Sequence, residues 1–174
     1  MKRKLLCLLI SVTVLMLSGC TSLSEIKKLD GDTIVSDCAK EVAELINQRD
    51  TDGLIAKFCT YTQENCELEA EINEMYERFD GKIVSYDDYI PVGGGYSMRD
   101  GKIKRRSYSP TLRNVRFENM NDSFEIYISM EDIDTEYPER EGIWQIFIRK
   151  VDDEGHVSSD DQFVIGVSCI DDNK

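Results

Sequence analysis

At Asp80-Gly81 the apolar residues change their spacing from a helical to a strand period, and this change points to helices first and an antiparallel sheet after them. Ahead of it, Val35, Cys38, Ala39, Val42, Leu45 and Ile46 recur on one helical stripe, which predicts a helix over 34–49 capped by Asp32 or Thr33. Asp50-Thr51-Asp52-Gly53 ends that helix, and 54–58 suggests a brief second one. Thr60 and Gln63 have capping-box spacing, and a third helix is expected over 64–79. Its inward residues are Leu68, Ile72, Met75, Tyr76 and Phe79. Its acidic face, Glu64, Glu67, Glu69, Glu71, Glu74 and Glu77, reads as solvated.

Beyond Asp80-Gly81 the period is two. Strands are expected over 82–90, 107–118, 123–131, 143–149 and 163–170, with 91–95 (Pro-Val-Gly-Gly-Gly) as a flexible loop. Phe124, Ile126, Ile128 and Met130 alternate with Glu125, Tyr127, Ser129 and Glu131, a half-buried antiparallel pattern. The fold class that follows is α+β: two or three N-terminal helices packed on one face of a curved antiparallel sheet of four to six strands.

The first twenty residues belong to targeting rather than to the fold. Lys2, Arg3 and Lys4 precede an uncharged apolar run over 5–17, which is shorter than the ~20 residues needed to span a bilayer. Leu17-Ser18-Gly19-Cys20 then resembles the bacterial lipobox. That resemblance implies cleavage before Cys20, recognition through Leu17, Ser18 and Gly19, and a diacylglycerol thioether on Cys20. Further acylation, with palmitate as a typical chain, would follow. Each buried methylene adds about 0.8 kcal/mol, so two or three acyl chains hold where one does not. The organisation expected is a signal peptide over 1–19, a lipidated Cys and tether over 20–32, and a single domain over 33–174, outside the cytoplasm at the cell membrane.

Three of the 21 basic residues and none of the 34 acidic ones fall within 1–19, so the remaining charge is −16. Such a body is repelled by nucleic acid. Export permits disulfides among Cys38, Cys59, Cys66 and Cys169, and Cys59 and Cys66 flank a turn where they could meet; buried thiols are the preferred reading. No cofactor or metal is expected, since no C-x-x-C occurs and the single His156 sits in an acidic loop.

The element order resembles the nuclear-transport-factor-two-like (cystatin-like) fold. Through residues 50–58 (DTDGLIAKF), Phe79-Asp80-Gly81-Lys82-Ile83, the 93–95 glycines and residues 141–146 (EGIWQI), the chain is similar to a family of bacterial lipoproteins containing domain of unknown function 5104. The resemblance covers roughly 33–150. It implies a cone-shaped sheet and a lipid-anchored location, and no reaction, because that fold hosts enzymes and binding modules alike.

Enzymes of that fold place a carboxylate inside the cone; Asp87 or Asp88 would be the base here, with Tyr76, Tyr86, Tyr89, Tyr108 and Tyr127 around it. Core or sheet-surface roles compete with that reading. Acidic clusters at 152–154 with Asp160 and Asp161, and at 131–136, lack the spacing of a calcium loop and read as solvated turns. The triple glycine lacks the following helix a phosphate cradle needs. The least expected feature is basic: Arg99, Lys102, Lys104, Arg105, Arg106, Arg113 and Arg116 face only Asp100 over 99–116, a local charge of +6. This stretch is either a docking patch for an anionic envelope polymer or acidic protein, or one side of cross-strand pairs with Glu118, Glu125 and the acidic helix. The function expected is a membrane-anchored, non-catalytic ligand- or partner-binding domain. The alternatives are a pocket enzyme of isomerase or cyclase type and an inhibitor- or immunity-like surface protein.

Overall fold

The computed structural model describes residues 31–152 and 154–166. The lipobox, Cys20 and Cys169 therefore lie outside the described residues. Two compact units divide the chain between Ile34 and Val35, and the larger, Val35–Lys174, contains every core residue discussed below.

Helix α1 spans Gly31–Gln48 and buries Val35, Ala39, Val42, Ala43 and Ile46 along the expected stripe. It stops because Arg49 takes a left-handed φ of 52°. The Arg49 N–H then donates to Ile46 O (3.1 Å) and the Asp50 N–H to Leu45 O (3.1 Å), which satisfies the last carbonyls in the Schellman manner. Asp50 next caps α2 (Thr51–Ile55), accepting from the Gly53 N–H at 2.9 Å.

The expected helix over 64–79 is two helices, α3 (Thr60–Asn65) and α4 (Leu68–Arg78). Cys66 between them is extended at φ −126°, ψ 154°, which interrupts the helical hydrogen bonds. Leu68, Ile72 and Met75 are buried on α4 as their spacing predicts. Glu71 leaves the solvated face, and its carboxylate accepts from the Gly166 N–H at 2.8 Å.

The strands are β1 (Ile83–Arg99), β2 (Lys102–Phe117), β3 (Ser123–Asp134), β4 (Gly142–Val151) and β5 (Val157–Gly166). All adjacent pairs are antiparallel, and the sheet order is β1-β2-β3-β4-β5. A short 3-10 turn, Pro138–Arg140, joins β3 to β4.

This architecture corrects the expected fold class. The body is a mostly-sheet α+β fold with four short α-helices, not a cystatin-like cone carrying two or three. Among the described residues each strand pairs only with its neighbours in the chain, an up-and-down meander. The supposed loop over 91–95 is part of β1, with Gly94 opposite Tyr108 and Gly95 opposite Ser107. A register shift between Pro91 and Gly94 absorbs the extra residue, and Gly93 there has a φ of +78°. Among the described residues β1 is an edge strand, where Pro91 is tolerated, and its five register shifts blunt that edge.

The space between helices and sheet is filled. Leu54, Phe58, Ile72, Met75, Ile126, Ile128 and Ile146 are each at most 3% exposed. The Phe79 ring centroid lies 5.3 Å from those of Phe117 and Phe124 and 5.8 Å from that of Phe163. Two clips tie the layers together. The Asn47 carboxamide accepts from the Ile83 N–H (2.7 Å) and donates to Ile83 O (3.3 Å). At the other end of the sheet, the Cys59 N–H donates to Ile143 O (2.8 Å) and the Ile143 N–H to Lys57 O (2.9 Å).

Candidate functional site

The basic stretch is divided by the strand that carries it. Lys104 and Arg116 are twelve residues apart on β2, roughly 40 Å along an extended chain, so the seven cations cannot form one patch. Three of them pair with carboxylates of β3. The Arg105 Nε donates to Glu131 Oε1 at 2.8 Å. Buried Arg106 grips both oxygens of Asp132, with Nε at 2.9 and 3.0 Å. Glu125, buried on the face opposite the core, lies 3.7 Å from Arg113 Nε and accepts from Arg149 Nη2 at 2.6 Å. The cross-strand reading thus holds for Glu125 and extends to Glu131 and Asp132. Among the described residues Glu118 and the α4 glutamates take no such part. Arg116 faces a separate cleft of about 520 Å³ with Asn114, Asp122 and Lys150.

The other end of the sheet carries what remains. The Asp100-Gly101 turn has φ values of 53° and 73°, so two residues reverse the chain between Arg99 and Lys102, in the geometry Asp-Gly favours. Beside this tip lies a cleft of about 300 Å³ lined by Ser97, Lys104, Arg105, Asp134, Glu136, Tyr137 and Arg140. Asp134 builds its wall, since Oδ1 accepts from the N–H groups of Glu136 (3.0 Å) and Tyr137 (2.9 Å). The Asp134 N–H donates to Glu141 Oε1 (3.0 Å), and the Thr135 N–H to Lys104 O (2.8 Å). The guanidinium of Arg140 stacks 4.2 Å from the Tyr137 ring centroid and 5.8 Å from that of Trp144.

Among the described residues, Arg99, Lys102, Lys104 and Arg140 make no ion pair. Large apolar groups stand beside them in solvent: Tyr96 is 70% exposed, Met98 43% and Tyr137 47%. Behind the cleft, burial holds the Glu131 carboxyl above its usual value; Arg105 opposes that shift and neighbouring Asp134 adds to it. The arrangement suits recognition of an anionic group flanked by apolar or aromatic surface.

The remaining candidates do not converge. Tyr76 lies under Arg49, and burial raises its hydroxyl above the usual value. Tyr86 is exposed, and Tyr127 donates to Ser109 Oγ at 2.8 Å on the outer sheet face. Asp87 is exposed and accepts from Asn114, while the side chains of Asp88 and Tyr89 lie outside the described residues. His156 is exposed, 3.3 Å from Asp152 Oδ2. Asp152 Oδ1 accepts from the N–H groups of His156 and Glu154, which holds that carboxyl below the usual range. Asp161 is bound to Arg78 at 2.6 Å, and Glu131 and Asp132 to arginines, so these carboxylates are engaged within the chain.

Cys38, Cys59 and Cys66 are free thiols. Cys59 and Cys66 stand at opposite ends of α3, roughly 10 Å apart at 1.5 Å per residue, beyond the reach of a disulfide. Burial is the main reason the Cys38 thiol is pushed up to about 11, and Glu41 adds to it.

Fold and site together define a small antiparallel-meander α+β domain with a cationic, aromatic hairpin end. The chain belongs to the family "Domain of unknown function (DUF5104)", which matches residues 41–153. No curated protein matches it. The described helices include none long and apolar enough to cross a membrane.

Proposed function

We propose that the chain is a lipid-anchored, extracytoplasmic, non-catalytic binding domain that engages an anionic partner through its hairpin end. The anchor rests on the n-region, the short apolar run and Leu17-Ser18-Gly19-Cys20, which stand in the register of a lipobox. The binding role rests on one observation above all. Arg105, Arg106, Arg113 and Arg149 face carboxylates, the last two sharing Glu125, while among the described residues Arg99, Lys102, Lys104 and Arg140 have no carboxylate partner beside exposed Tyr96, Met98 and Tyr137. In a chain of net charge −13, unpaired cations grouped at one end mark a surface built for something outside the molecule. The packed interior supports a surface role over a pocket reaction.

The test has two parts. Mass spectrometry of the processed protein should find an acylated Cys20 as first residue; an intact Met1–Cys20 segment ends the anchor reading. Titration with an anionic polymer such as polyglycerol phosphate should show binding that Lys102→Glu/Lys104→Glu abolishes and Arg116→Glu leaves alone. Equal loss from both variants would mean nonspecific attraction and reject the site.

A further inference from the structure

We propose that the anionic partner of the hairpin end is the headgroup surface of the membrane that holds the chain, so that the β1–β2 tip is a second, reversible contact beside the lipid; this rests on the lipid-anchor reading. Three observations lead there. First, the tip pairs exposed apolar groups with cations: Tyr96 and Met98, then Arg99, Lys102 and Lys104, with Asp100 in the turn and Asp134 and Glu136 on the cleft beside Lys104. Tyrosine favours the headgroup level, where its ring is buried and its hydroxyl wet. Lysine and arginine there meet lipid phosphates.

Second, the chain enters the compact unit at the tip's end of the sheet. Asn47, near the C-terminal end of α1, is bonded to Ile83 at the start of β1, the end far from the tip. Glu41, six residues earlier, pairs with Lys57, whose carbonyl accepts from the Ile143 N–H at the start of β4. That position lies across the sheet from Met130 and Tyr108, towards the tip. Continued backwards, α1 carries Val35 further in that direction. Fourteen residues separate Cys20 from Val35, so the anchor confines the unit to within about 50 Å of the lipid at full extension. That confinement makes a weak tip contact an intramolecular event.

Third, the charge of the rest of the body does not prevent it. Beyond about 8 Å at physiological salt the acidic residues of the helices are screened. Asp134 and Glu136 share the cleft with Lys104, so Arg99 and Lys102, which run past the end of the β2–β3 register, make the encounter.

The full chain, processed in bacterial cells, is reconstituted into vesicles of phosphatidylcholine alone or mixed with phosphatidylglycerol. Amide hydrogen exchange over 96–104 is then read. Slowed exchange on the anionic vesicles only, reversed by salt, is the expected result. Lys102→Gln/Lys104→Gln should lower the ratio of docked to free tip about 30-fold, from roughly fivefold per cation. Tyr96→Ser/Met98→Ser should weaken it without changing the salt dependence, and unchanged thermal unfolding of both variants shows that the fold is intact. Equal exchange on both vesicle types overturns the proposal, as does protection that needs an added acidic protein. Flotation with phosphatidylcholine vesicles and the mass of Cys20 report the anchor separately, so loss of the anchor and loss of tip docking give different results.

Discussion

Asp132→Leu is the substitution that most directly tests how buried charge holds the β2–β3 pair together. The Arg106 side chain is 9% exposed and that of Asp132 14%, so the pair is close to dry. Hydrogen bonds to Asp132 hold Arg106 above the usual arginine value, and without them the intrinsic basicity of the guanidinium still keeps it charged. Removing the carboxylate leaves an uncompensated buried charge, which costs about 3–5 kcal/mol. Against a total stability of roughly 5–15 kcal/mol that is a large share. At about 2–4 °C per kcal/mol for a chain of this size, the melting temperature should fall by roughly 6–20 °C. Asp122→Leu supplies the comparison. Its pair with Lys150, at 2.9 Å, has both side chains over 40% exposed and should be worth about 0–1 kcal/mol. Replacing both buried partners, Arg106→Met with Asp132→Leu, should recover most of the loss. Calorimetry and urea unfolding at constant slope measure all four proteins. If Asp132→Leu costs no more than Asp122→Leu, or if the double variant is worse than the single, the reasoning about desolvated charge is wrong.

Gly142→Ala should cost about 3 kcal/mol or more, because φ is +130° and the new Cβ would sit 2.8 Å from Cys59 N; Gly93→Ala, with φ +78° and open space, should cost about 1 kcal/mol. Urea midpoints of the two variants decide it, and equal losses would refute the contact argument. Glu131 makes stability pH-dependent in a defined sense. Its folded value lies above the ordinary 4.5, so the folded state keeps a proton that the unfolded chain has released. That contribution is complete below pH 4.5 and disappears as pH rises through the folded value, so wild-type stability relative to Glu131→Gln should decline across that window. A relative stability that rises there contradicts the assignment. Cys38, at about 11 against an ordinary 9.0, should hold about a hundredfold less thiolate at neutral pH than a free thiol. Alkylation mapped by mass spectrometry should be slow to match, and labelling of Cys38 at the rate of an exposed thiol would show that it is not buried.

Local chemistry decided much of what could be read before the structure. The α1 stripe, the inward residues of α4 and the alternation on β3 all follow from period and burial, and each stands where its spacing places it. The readings that failed were those a distant partner controls. Pro91 and the glycines after it look like a loop because nothing local reveals that β2 lies alongside to hydrogen-bond them. Asp100-Gly101 is a hairpin signal visible in the chain, and reading it would have found the tip and moved the strand boundaries outward.

The amino-acid sequence by itself determined the order of helices and strands, the faces they bury, the acidic charge, and the lipobox pattern on which the anchor proposal stands. Those properties depend on neighbours within a few positions, which is the range over which helix and strand periods act. Only the tertiary structure decided which cations are spent on carboxylates and which remain available. It also showed that the helix–sheet interior is packed and that the seven basic residues divide between two ends of one sheet. Ion pairing and packing join residues tens of positions apart in the chain, and antiparallel register, not composition, sets which of them meet.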